Sequence, residues 1–215
     1  MRRRWVVNRA DGIDCYQKAL RQGQRDYREK MNAGQSPFLP VLDDILQNVP
    51  VENQIPLGQV EIPLELLVGT KTSGRTAAFA SNFMPLLGLK TEFATKWINL
   101  CVSHLDEGIR DPITCYEYMG RFYVQEGNKR VSVLKYFDAS SITGNVTRVV
   151  PQYSDDPAVQ MYYEFMHFYP VMQNYLLTFT KRDGLMKNVD PESNSSGIRY
   201  YPQMKTYNFG VNVTF

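Results

Sequence analysis

The run Glu126-Gly127-Asn128-Lys129-Arg130 is where residue type and spacing most directly suggest chemistry. It follows two short apolar segments joined by Met119-Gly120-Arg121, and it opens a segment with helical periodicity that reaches Phe137. The first turn of a helix has backbone N–H groups without partners and carries partial positive charge. A glycine lets an anion approach the backbone closely. Arg130 can grip a phosphate with two parallel hydrogen bonds, and Lys129 adds a point charge. Together these are the parts of a phosphate pocket. The same spacing also serves a plain strand-to-helix turn with a solvated Lys and Arg, and spacing alone leaves both open. Glu126 would hold Mg²⁺ or take a proton in the first case, and would only balance the two cations in the second.

A second candidate is Gly69-Thr70-Lys71-Thr72-Ser73-Gly74-Arg75-Thr76. It matches the Walker A phosphate loop except that Arg75 stands where that loop has Lys. The loop lysine is a compact charge, whereas Arg is larger and planar. No later segment reads as a strand ending in a Walker B Asp. The glycine-rich turn is therefore read as packing beside the 126–130 turn, with Lys71, Thr72 and Arg75 as a second wall of one anion pocket. An ordinary surface loop is the competing reading.

Other chemistry has less to stand on. Cys15, Cys101 and Cys115 are odd in number, and no two lie at metal-ligand spacing. With only His104 and His167 beside them, no metal site is expected. The cysteine usage fits a reducing compartment, and no stretch has the length of a membrane-spanning helix. Nor does the start of the chain have the apolar region of a secretory signal. The expectation is a cytoplasmic protein without a membrane span.

The elements that must position these residues follow from periodicity. The chain has 215 residues, 43% apolar and 21% charged, enough for a folded core. Its net charge of +2 is too small for a general polyanion binder. Residues 1–30 hold nine Lys/Arg against four Asp/Glu, so the positive charge is local. Residues 12–33 read as a helix with Ile13, Tyr16, Leu20, Tyr27 and Met31 on one stripe and Lys18, Arg21, Arg25 and Arg28 on another. That basic stripe would touch nucleic-acid phosphates or simply face solvent. A short helix is expected over 42–47, and Pro50 and Pro56 suggest a linker.

Beyond it, 60–68 reads as a strand, 76–87 and 91–105 as helices, and 113–118 and 122–125 as a hairpin. Residues 146–150 read as a further strand and 157–168 as a helix rich in Tyr, Met and Phe. Residues 182–199 are polar, and the last nine alternate as a strand does.

The residues around the first candidate resemble a known family. "RDPITCYEYMGRFYVQEGNKRVSVLKYF" (110–137) looks like the core of the ParB/sulfiredoxin superfamily: a Pro-led strand, a hairpin, an acidic residue, then Gly-x-x-Arg at a helix start. "VEIPLELLVGTKTSGR" (60–75) is similar to the opening ParB strand and its following Arg. The resemblance implies that Gly127, Asn128, Lys129 and Arg130 hold nucleotide phosphates, as CTP is held in ParB, ATP in sulfiredoxin, and ATP or ADP in the related free-serine kinases. Asn128 stands where sulfiredoxin has its nucleophilic Cys and ParB often has Glu, so neither sulfur chemistry nor a general base is implied there.

Residues 1–180 also resemble the N-terminal part of bacterial proteins labelled as basic-membrane-protein-type substrate-binding components of ABC transporters. "YYPQMKTYNFGVNVTF" (200–215) resembles the final strand of TonB-dependent outer-membrane receptors, and a strand of that kind invites self-association.

The sequence thus predicts an α+β protein: a helical N-terminal arm over 1–55, a ParB/sulfiredoxin-like core over 56–150 with a small mixed sheet, and an extension over 151–215. The expected function is a regulatory module that binds a nucleotide (CTP or ATP, with Mg²⁺) or another phosphate ligand. The alternatives are a phosphotransferase or nucleotide hydrolase using Glu126, and a DNA-associated protein or nuclease.

Overall fold

The computed structural model describes residues 8–168, with Arg75 described by its backbone alone. The chain divides into two compact units, Met1–Phe165 and Met166–Phe215. The elements below belong to the first. They are α1 (Arg9–Asn32), α2 (Leu42–Ile45), β1 (Val51–Pro63), β2 (Leu67–Thr70), α3 (Glu92–Asp106), β3 (Ile113–Tyr118), β4 (Arg121–Glu126), α4 (Asn128–Tyr136) and β5 (Ser141–Pro151). Short 3-10 turns fill 46–48, 64–66 and 73–78. Residues 157–165 are helical, as expected. The polar segment 182–199 and the terminal strand over 200–215 lie outside the described residues.

The five strands form one mixed sheet in the order β1-β5-β3-β4-β2. β1 and β5 are antiparallel, β5 and β3 parallel, β3 and β4 antiparallel, and β4 and β2 parallel. This is the α+β architecture that the sequence predicts. The hairpin of β3 and β4 closes through Met119 (φ 51°) and Gly120 (φ 74°). Positive φ at both turn residues matches the right-handed twist of the strands. Along β3 the buried positions Ile113, Cys115 and Glu117 alternate with half-buried ones, the period-2 pattern of a sheet with one face in the core.

One core layer lies between this sheet and the elements that cover it, with Ile62, Leu67, Phe79, Phe83, Val124 and Val131 among its buried residues. A second joins three helices: Tyr16 and Ala19 of α1, Trp97 and Cys101 of α3, and Val133 of α4. A smaller third holds Leu42, Tyr123 and Val149, with Tyr116 packed against it.

Several expectations need correction. The helix expected from residue 12 begins at Arg9, because Asn8 caps it: its side chain accepts from the Ala10 and Asp11 amides, and Asp11 returns a bond to the Asn8 N–H. Of the expected stripe Tyr16 is buried, joined by the small Gly12, Ala19 and Gly23, while Ile13 and Leu20 are half-buried and Met31 is exposed. Small residues let the helix come close. A Cβ on Gly23 would stand 2.4 Å from the Pro85 carbonyl oxygen.

The segment expected as a helix over 76–87 forms none. After the 3-10 turn Ser73–Ala78, the chain doubles back, with the Ala80 N–H bonded to the Met84 carbonyl and Phe83 at φ 67°. Pro85 ends any helical continuation, and Phe79 and Phe83 are drawn into the core. The expected linker at 50–56 is the start of β1, where Pro56 is tolerated because β1 borders the sheet. The expected strand 60–68 is broken at Leu64–Leu66. The strand expected over 146–150 extends over Ser141–Pro151. Among the described residues no helix is long and apolar enough to cross a membrane.

Candidate functional site

β2 and β4 are parallel neighbours, so the chain leaves both at the same end of the sheet. The 69–75 and 126–130 turns therefore start side by side. The Lys71 N–H bonds to the Val124 carbonyl at 2.9 Å, two residues before Glu126.

Gly127 is the hinge of the second turn. Its φ of 102° is left-handed, and a Cβ there would stand 2.5 Å from Ile113 Cγ2. Only glycine takes that conformation at low cost. The Val131 N–H closes the first helical bond onto the Gly127 carbonyl at 3.0 Å. No side chain caps α4, which leaves the amide end of its first turn to other acceptors.

The residues of this turn diverge. Glu126 is exposed at the end of β4, paired in register with Thr114. Asn128 is buried at 4% exposure, and its Oδ1 has no hydrogen-bond partner among the described residues. It lies on the inward face of α4 with Val131 and Ser132. Lys129 turns the other way, its Nζ 4.9 Å from the centre of the Phe93 ring. Arg130 donates from Nη1 to the carbonyls of Pro112 at 2.5 Å and Asp111 at 3.4 Å. It borders a second cavity of about 350 Å³ together with Ser103, Glu107, Arg110 and Asp111. Lys129 and Arg130 are thus adjacent in sequence but line different cavities.

Lys129 lines a cavity of about 390 Å³ with Gly74, Leu87, Glu92, Phe93 and Lys96. The two candidate turns do face one space, through Gly74 on one side and Lys129 on the other. Lys96 pairs with Glu92 at 2.5 Å. Its hydrogen bond and charge, with a smaller contribution from Lys129, hold the Glu92 carboxyl below the usual range. The rim therefore carries two ammonium groups and one carboxylate over an apolar floor of Phe79, Leu87 and Phe93.

Lys71 is not in this space. Its Nζ pairs with Asp43 at 2.5 Å and lies 4.9 Å over the Tyr116 ring, which packs in the third core layer. Thr72 is exposed just before the 3-10 turn, and Arg75 lies within it beside Gly74. Gly69 serves packing: a Cβ there would stand 2.3 Å from the Pro40 carbonyl oxygen. The Walker-like run enters a six-residue 3-10 turn rather than an α-helix, so its amides do not wrap as that loop's do.

Lys96 and Phe93 had no signal of their own in the sequence. They lie more than thirty residues upstream of Lys129, on α3. Among the described residues no group of three His, Cys, Asp or Glu is gathered as metal ligands. Glu126 is the one carboxylate at the turn. It lines neither of the two cavities.

No protein-family model matches the chain, and no curated protein matches it. The resemblances to transporter substrate-binding components and to outer-membrane receptors find no support there. Among solved structures the chain is similar to sulfiredoxin from Arabidopsis thaliana, at 22% identity and a TM-score of 0.29, over 41% of this chain and 82% of that one. An overlap this loose transfers no residue's role.

Proposed function

We propose that this protein binds a phosphate-bearing ligand of the nucleotide class at the start of α4, in a regulatory rather than a catalytic role. The observation that carries the reading is the shared cavity, where Lys129 and Lys96 border the same 390 Å³ space as the Gly74 turn. The uncapped first turn of α4 adds amide donors and partial positive charge at the same point. Phe93 and Leu87 offer the apolar surface that a base or sugar would cover. The resemblance of 110–137 to the ParB/sulfiredoxin core points the same way. Glu126, with the ligand's phosphates, would hold Mg²⁺.

Calorimetric titration with CTP, ATP and ADP, with and without Mg²⁺, tests the reading. Lys129→Ala should weaken binding about tenfold, the scale of one charge-assisted hydrogen bond. Lys71→Ala should leave it unchanged, because Lys71 is committed to Asp43. No heat with any of the three nucleotides, or equal binding by Lys129→Ala, would overturn it.

A further inference from the structure

Two of the three cysteines meet between helices, away from the site above. Cys15 is on α1 and half-buried, and Cys101 is on α3 and buried. Gly12 brings the helices together one turn earlier. A Cβ on it would stand 2.9 Å from Val102 Cγ2 and 3.1 Å from the Ile98 carbonyl oxygen. Tyr16 and Trp97 pack edge-on beside this contact, with ring centres 5.3 Å apart. Cys15 and Tyr136 both pack against the core cluster that holds Cys101, and Cys15 is close enough to push the Cys101 thiol and the Tyr136 hydroxyl further up.

We infer that Cys15 and Cys101 form a reversible intramolecular disulfide when the protein meets a hydroperoxide, with Tyr136 as the residue that positions Cys15. The Cys15 thiolate attacks one oxygen of the hydroperoxide. An S–O bond forms, the O–O bond breaks, and the alcohol (water, for hydrogen peroxide) leaves after taking up a proton. Cys15 is then a sulfenic acid. The Cys101 sulfur attacks Cys15, the S–S bond forms, the S–O bond breaks, and water leaves with the Cys101 proton. Two thiols have lost one electron each, and the hydroperoxide has gained two.

The order of events follows from the surroundings. Cys15 is the more accessible sulfur, half-buried where Cys101 is buried. Burial pushes the Cys101 thiol up to about 12, with the neighbouring Cys15 raising it as a smaller cause. A disulfide needs a Cα separation of about 4.4–6.8 Å, and the close contact of α1 with α3 at Gly12 is what brings the two helices toward it. Cys115 also has its thiol pushed up to about 12 by burial. It sits in the sheet's core layer, beside neither of the other two.

The sequence makes the test simple, because trypsin leaves each cysteine on its own peptide: 10–18, 97–110 and 111–121. The full chain is treated with hydrogen peroxide, quenched, alkylated, digested and mapped by mass. The expected product is peptide 10–18 joined to 97–110, released by dithiothreitol and absent from Cys15→Ser. Cys101→Ser should stop at a Cys15 sulfenic acid trapped by dimedone. Tyr136→Phe keeps the ring packing and should slow peroxide consumption several-fold without changing which peptides join. Recovery of 10–18 and 97–110 only as separate peptides would overturn the inference. So would Cys15 joined to Cys115 or to a second chain. The wild-type map decides even if a cysteine variant fails to fold.

Discussion

Trp97 donates its indole N–H to the Ser132 hydroxyl at 2.9 Å, and both residues are fully buried. This bond fixes α3 against α4, and α4 is held from two more directions. Arg130 reaches the Pro112 carbonyl, and Lys135 donates to the Leu67 carbonyl at 2.9 Å. The helix whose first turn carries the candidate site therefore has little freedom to shift.

Ser132→Ala leaves the indole N–H without an acceptor in a dry interior. The expected cost is about 1–3 kcal/mol, read as a lower denaturation midpoint at an unchanged slope with denaturant.

Gly127→Ala should cost about 3 kcal/mol. The left-handed φ penalises any side chain, and the new Cβ runs into Ile113. Gly74→Ala is the control: a Cβ there meets nothing within 4 Å, and stability should change by less than about 0.5 kcal/mol. Equal losses at the two positions would contradict this account of the turn.

Glu117 is 2% exposed. It accepts from the Gly120 N–H at 2.7 Å through Oε1 and pairs with Arg148 through Oε2. Arg148→Met removes the counter-charge of that carboxylate, leaving only the Gly120 N–H and the Tyr162 hydroxyl as donors among the described residues, and should cost about 3–5 kcal/mol. Adding Glu117→Gln should recover most of the loss, because the amide oxygen still accepts from Gly120. Urea unfolding of the two single variants and the double variant measures the coupling.

Stability should respond to pH at both ends. Burial holds the His104 imidazole below its usual range, and its Nδ1 has no partner among the described residues. The unfolded chain takes up that proton first, so this contribution is present above about pH 6.5 and is lost as pH falls further. A His104→Leu variant should lose that part of the slope. Tyr16 behaves in the opposite sense. Burial pushes its hydroxyl up to about 12, and it donates to the Leu87 carbonyl at 2.6 Å. Its contribution is whole below about pH 10 and should vanish as pH rises through about 12. Thermal melts of wild type and Tyr16→Phe across the alkaline range check this.

The hairpin and α4 were legible in the sequence because their signals are local. Alternation over 113–118, a two-residue turn and a glycine before the helix need no distant partner. The failures are non-local. Gly12 and Gly23 do not count as apolar in a periodicity scan, yet they set the approach of α1. Residues 76–87 have helical composition, but Pro85 and the pull of Phe79 and Phe83 into the core prevent a helix. At the site, the turn was legible and its orientation was not. Consecutive residues on a helix point about 100° apart, so Lys129 and Arg130 face separate cavities, and Asn128 faces the core.

The pairing of β1 with β5 has a consequence for how the chain is made. Pro63 lies opposite Ser141, and Val51 opposite Pro151, so β1 waits about eighty residues or more for its neighbour among the described strands. Contacts this far apart in sequence form slowly, and closure of that edge should be a late event of folding. Until then β1 is without its partner among the described strands. Pro56 and Pro63, which withhold two amide donors, and the kink at Gly58 make it a poor template for a passing chain in that interval.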